Sequence, residues 1–191
     1  MRRKLRPQGE VIERCQALRD ELRAALGKLP SDDPAVIDAV WRGEALGTLL
    51  WALQLLELPP YDQPFDPGAV AAADVDGGEL RDDEDVLLEQ ESARLWHWRA
   101  RTTELQAAGS LELPARFASI DQLVAATAMR GYEQGILPQP LRGDFQAYGK
   151  VYRHLSPDQV AEAHSVALER QHALNWLAGE GTSWDDVPLD T

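Results

Sequence analysis

"PAVIDAVWRGEALGTLLWALQLLEL", residues 34–58, is apolar around nearly its whole circumference. At about 100° per residue, Ile37, Val40, Trp41, Thr48, Trp51 and Leu55 fall on one side, and Leu46, Leu49, Leu50, Leu53 and Leu56 on the other. A helix of this kind has no face to turn to water, so the pattern predicts a central helix with others packed around it. Asp32 or Asp33 can cap its start, and Pro34 suits the first helical position, where a missing N–H costs nothing. Its end is expected at about Leu58. Gly43 and Gly47 lie on the strip between the two faces. A mid-helix glycine costs about 1 kcal/mol against alanine, so the pair is expected to admit the close approach of another backbone.

The flanking segments read as helices that cover this one. Val11, Ile12, Cys15, Leu18, Leu22 and Leu26 form one face of a helix from about Gln8 to Leu26, ended by Gly27. A helix from about Asp83 to Ala107 carries Leu87, Leu95, Trp98, Thr102 and Leu105 on one face, with Asp82, Asp83, Glu84 and Asp85 at the positive end of its dipole. Ser119 or Asp121 can cap a helix to about Tyr132. "GILPQPLRGDFQAYGKVYRHLS" (135–156) is rich in Pro, Gly and aromatics, which predicts turns and a short strand pair. Ser156, Pro157 and Gln159 make a capping box for a last helix to about Ala178, stopped by Gly179 and Gly181. The expected fold is mainly α: a single-domain bundle of about five principal helices over 1–191. Within it, 57–82 is an acidic, irregular surface excursion and 182–191 a C-terminal strap.

A chain of 191 residues, 44% of them hydrophobic, can bury a core of its own. No apolar run has the length of a signal peptide core or a membrane span, so a soluble protein is expected. The lone cysteine, Cys15, falls on an apolar face, which fits a buried inert thiol and a reducing cytoplasm. A net charge of −13 opposes binding to nucleic acid phosphates. The cations Arg2, Arg3, Lys4 and Arg6 read as a solvated terminus. Between Glu57 and Glu91 stand twelve acidic residues and one basic residue, Arg81, a bias that suits a basic protein partner. "DVDGGELRDDED" (74–85) fails as a calcium loop, because its glycine is misplaced by one position and its last ligand is Asp85 instead of Glu.

Two ions interrupt apolar stripes. Glu44 lies amid Ile37, Val40, Trp41, Thr48 and Trp51, and Arg170 projects with Ala163, Ala167, Leu174 and Leu177. A lone buried charge is costly, so each needs a partner: Glu44 with Arg170, or with Arg42, Arg94 or Arg99. Such a pair is either a lock on helix register or part of a polar pocket between the central and last helices, lined by Glu44, His97, Arg170, His172 and Asn175. In the strap, Trp184 is the expected anchor, with Asp185 or Asp186 as acceptor for His172 or an arginine, and Asp190 as a further tail contact. His97, His164 and His172 lack the i, i+4 spacing of a helical zinc site, and no nucleophile elbow or phosphate-cradling loop is present. No catalytic residue, metal or cofactor is therefore expected.

Four blocks also carry a resemblance: "WRGEALGTLLWAL" (41–53), "RLWHWRAR" (94–101), "GDFQAYGKVYRHLS" (143–156), and "ERQHALNWL" (169–177) followed by "WDDVPLDT" (184–191). Together they resemble the bacterial domain-of-unknown-function family 4272 over nearly the whole chain. The resemblance implies a mostly helical bacterial protein and brings no catalytic residues with it. The functional expectation is a noncatalytic interaction or accessory protein with an acidic partner-binding surface. The alternative is a small-molecule-binding protein or enzyme using the polar pocket.

Overall fold

Helix α1 (Gln8–Leu26) buries Val11, Cys15, Leu18 and Leu22, the stripe its spacing predicts, in a computed structural model that describes residues 4–189. Helix α2 (Pro34–Ala52) starts on Asp33, whose side chain accepts from the Ala35 N–H at 2.9 Å. Every residue from Gly43 to Ala52 is buried, whereas Ile37 near its start is exposed. Leu46, Leu49, Leu50 and Leu53 are fully enclosed, each contributing roughly 2–3 kcal/mol by removal from water. The helix stops at Ala52, short of Leu58. Gln54 turns left-handed (φ 60°), with Leu55 N–H donating to the Leu50 carbonyl and Gln54 N–H to the Trp51 carbonyl. This is a Schellman end built without glycine. The freed carbonyls of Ala52 and Leu53 accept from Arg81 N–H and Glu79 N–H, and Arg81 Nε donates to Trp51.

The stretch expected to be a surface excursion is instead pinned into the core. It contains a short helix, α3 (Pro67–Ala72), and buries Tyr61, Phe65, Val70, Ala71 and Val75 while leaving most of its carboxylates outside. Phe65 also explains Gly47: a Cβ there would lie 2.5 Å from the Phe65 ring. The two glycines admit side chains, Phe65 at Gly47 and Leu22 at Gly43, and no second backbone.

Helix α4 (Asp83–Ala107) buries Val86, Gln90, Ala93, His97 and Ala100, a different stripe from the expected face, of which Thr102 is buried and Leu87, Leu95, Trp98 and Leu105 are half-buried. The stripe turned to the core includes polar side chains because each finds a partner on the last helix. Helix α5 (Ile120–Glu133) is capped by Ser119. Strands β1 (Gln146–Ala147) and β2 (Lys150–Val151) form an antiparallel hairpin. Tyr148 and Gly149 both take positive φ in its two-residue turn, the conformation that matches strand twist. Helix α6 (Pro157–Leu177) begins with the full Ser156/Gln159 capping box. The chain is thus mainly helical, with α1 on α2, α2 on α6, α6 on α4, and α3 and α5 at the margins. Among the described residues no helix is long and apolar enough to cross a membrane.

Candidate functional site

Glu44 and Arg170 meet. Arg170 Nε donates to Glu44 Oε2 at 3.1 Å, with the two side chains 0% and 4% exposed. The other guanidinium nitrogens donate to the carbonyls of Pro59 (2.6 Å), Pro60 (3.4 Å) and Gln63 (2.9 Å). The Phe65 N–H donates to Glu44 Oε1. The rings of Tyr61 and Phe65 flank the cation, 4.8 and 5.3 Å from its central carbon. Burial pushes the Glu44 carboxyl up, against the opposing pull of Arg170 and of the Phe65 amide. The pair is a lock, and what it fastens is the 59–65 loop onto α2 and α6.

The other expected pocket residues go elsewhere. His97 bonds through Nδ1 to Gln171 Oε1 and stacks on His164, and burial lowers its pKa. Asn175 accepts from Gln90 Nε2 at 2.8 Å and donates to the Pro188 carbonyl at 2.8 Å. His172 donates from Nε2 to the Trp184 carbonyl at 2.8 Å, while burial depresses its pKa. The five residues do not share one set of partners: Glu44 and Arg170 bond to each other, whereas His97, His172 and Asn175 bond to Gln171, Trp184 and Gln90. The strap does cover α6, anchored by buried Trp184 against His172 and Trp176. Its carboxylates are not the acceptors expected for His172: Asp186 takes the Thr182 and Ser183 hydroxyls, and a backbone carbonyl serves the imidazole. Asp190 lies outside the described residues, as do Arg2 and Arg3. Arg6 is no solvated terminal cation, since it donates to the carbonyls of Trp176 (2.7 Å) and Gly181 (3.0 Å).

A second buried pair was not foreseen. Arg99 donates to both oxygens of Asp144, at 2.7 and 2.9 Å, and covers the Tyr152 ring at 4.6 Å. Asp144 also accepts from the Phe145 and Arg153 amides. This pair fastens the start of the hairpin segment to α4, as Arg170 fastens the 59–65 loop to α6.

Between these two fastened segments lies a cleft of about 510 Å³, lined by Leu58 to Gln63, by Glu89, Ser92 and Trp96 of α4, and by Pro138, Gln146 and Gly149. Glu89, Ser92 and Trp96 share one face because their spacing is i, i+3, i+7. The Tyr61 hydroxyl donates to Glu89 Oε1 at 2.7 Å. Burial raises the Glu89 pKa, opposed by the Tyr61 hydroxyl and by Arg170. Burial and the neighbouring Glu89 hold the Tyr61 phenol protonated. On the opposite wall the Tyr148 N–H donates to Asp62 Oδ2, and the Tyr148 hydroxyl donates to Glu162 at 2.7 Å, which fixes the hairpin turn. Tyr61 and Trp96 stack at 5.2 Å and 9°. The sequence signal for this site was the pair of aromatics in "LPPYDQPFDP", which a solvated loop has no reason to carry.

A second cavity of about 430 Å³ lies under the strap, bounded by Asp38, Trp41, Arg42, Glu169, His172 and Trp184 among others. Burial pushes the Glu169 carboxyl up to about 7, with Arg42 opposing and Glu44 and Asp38 adding to the rise. Its Oε2 has no hydrogen-bond partner. Among the described residues no group of three or more His, Cys, Asp or Glu side chains is arranged to hold a metal ion.

No family model, no curated protein and no solved structure matches this chain.

Proposed function

We propose that the chain is a small-molecule-binding protein whose ligand occupies the cleft between the 58–63 loop, α4 and the hairpin. One observation carries the reading: two independent buried ion pairs, Glu44–Arg170 and Asp144–Arg99, hold opposite walls of one cavity. A volume of about 510 Å³ lies within the usual span of ligand sites. Rigid walls reduce the ordering cost of binding. The reading moves the polar pocket from the interface of the central and last helices to the far side of the lock.

The test is a charge-mixed fragment screen followed on the Trp96 indole and Tyr61 resonances, repeated with Gln146→Trp, which fills the cleft from an exposed wall position. Fragments that shift these resonances in the native chain and not in the variant support the reading. It fails if no fragment moves them, or if the shifts persist unchanged in the variant.

A second reading keeps the acidic surface as an interaction site for a basic protein, supported by the exposed run Asp82 to Asp85 at the start of α4 and the net charge of −13. Affinity purification at low and high salt tests it, and recovery of no partner at either salt counts against it. The same proposal includes a reducing, bacterial cytoplasmic setting and no nucleic acid partner. Cys15 supports the setting: it is the one cysteine, it is buried, and burial pushes its thiol up to about 12. Membership of the domain-of-unknown-function family 4272 stays a proposal resting on the four sequence blocks.

A further inference from the structure

Resting on the binding-cleft reading above, we infer that the ligand is a small organic cation bearing a protonated primary amine, and that a diamine is preferred to a monoamine. The cleft has two carboxyl groups, Asp62 and Glu89, and no lysine, arginine or histidine among its lining residues. Each carboxyl is anchored by one oxygen only: Glu89 Oε1 takes the Tyr61 hydroxyl and Asp62 Oδ2 takes the Tyr148 amide. The second oxygen of each accepts no hydrogen bond from the described residues. The site therefore offers acceptors held in place, which an ammonium group with three donors can satisfy.

The nearest cation, Arg170, reaches Glu89 through its field but is paired with Glu44 and does not line the cleft. Arg170 spends its nitrogens on Glu44, Pro59, Pro60 and Gln63, and its guanidinium lies over the Tyr61 ring. An anion in the cleft would face two carboxyl groups with no countercharge from its lining. A bare divalent ion is a poor fit, because two carboxylates fall short of the six or more oxygens calcium takes. The apolar walls from Leu58, Pro59, Pro60 and Pro138 suit a methylene chain between two ammonium ends. The chain's net charge of −13 raises the local concentration of any cation.

The probes are 1,4-diaminobutane, butylamine, butanol, butanoate and calcium chloride, each titrated at about 0.15 M salt, where long-range attraction is largely screened. The readout is the shift of the Tyr61, Trp96 and Gly149 resonances. The expected order is diamine over monoamine, with butanol and butanoate weaker than the diamine by about tenfold or more, a factor worth about 1.4 kcal/mol. Glu89→Gln keeps an acceptor for Tyr61 and should weaken the diamine about tenfold, as should Asp62→Asn. Gln146→Arg places a cation at an exposed wall position and should weaken the diamine without disturbing the core.

Binding of butanol, butanoate or calcium as tight as the diamine overturns the amine assignment and leaves the cleft reading standing. Equal binding of the diamine to the native chain, Glu89→Gln and Gln146→Arg also overturns it, since the association is then with the acidic surface at large. If neither these probes nor the charge-mixed fragments move the cleft resonances, both readings fall.

Discussion

Arg170 donates to Glu44 at 3.1 Å across the α2–α6 interface and, with its remaining nitrogens, to three carbonyls of the 59–63 loop. One cation thus neutralises a buried carboxylate and satisfies backbone groups that an irregular segment would otherwise bury unpaired. Replacing Arg170 by Met leaves Glu44 enclosed without its cation and should cost about 3–5 kcal/mol. Combining Arg170→Met with Glu44→Leu removes both charges, and the double variant should cost less than the sum of the singles by about 2 kcal/mol or more. Urea denaturation of the four proteins in the cycle measures this, and additive costs would show that the two groups do not depend on each other.

Gly47→Ala should destabilise the chain by about 1–3 kcal/mol although alanine is the better helix former. The added methyl meets the Phe65 ring at 2.5 Å, and Phe65 cannot yield freely because its N–H is held by Glu44. Gly43→Ala is the control, since a methyl there meets Leu22 at 3.4 Å. Thermal unfolding should place the Gly47 variant well below the Gly43 variant; equal midpoints would argue against the steric account.

Much of this was legible from local chemistry. The caps at Asp33, Ser119 and Ser156 are side-chain preferences that need no tertiary knowledge, and they stand where expected. Glu44 and Arg170 stood out because an ion inside an apolar stripe must find a partner. The end of α2 was not legible, because Leu53, Leu55 and Leu56 continue the apolar pattern while the stop depends on Glu79 and Arg81 taking the last carbonyls. The buried face of α4 was misread because Gln90 and His97 become core residues only through Asn175 and Gln171 on α6. The cleft joins Tyr61 to Glu89 across a loop whose path no periodicity encodes.

Glu169 gives the stability curve a pH dependence of known sign. Its carboxyl sits at 4.5 ordinarily and at about 7 in the fold. Between those values the unfolded chain has lost the proton and the folded chain keeps it, so stability falls as pH rises through the window. The stability present below pH 4.5 is lost above pH 7, by about 3 kcal/mol at 1.4 kcal/mol per unit. Glu169→Gln should therefore stabilise the protein at pH 8 and have little effect at pH 4. Chemical denaturation at both values checks this, and an equal effect at the two would contradict it.

Amide hydrogen exchange in Arg170→Met tests most directly whether the lock shapes the cleft wall. The account predicts that the Gln63 and Phe65 amides, which donate to the Pro60 carbonyl and to Glu44, lose protection selectively, while Cys15 in α1 and Leu49 in α2 keep theirs relative to the global limit of the same sample. Unchanged protection at Gln63 and Phe65, or a loss shared equally with Cys15 and Leu49, would contradict it.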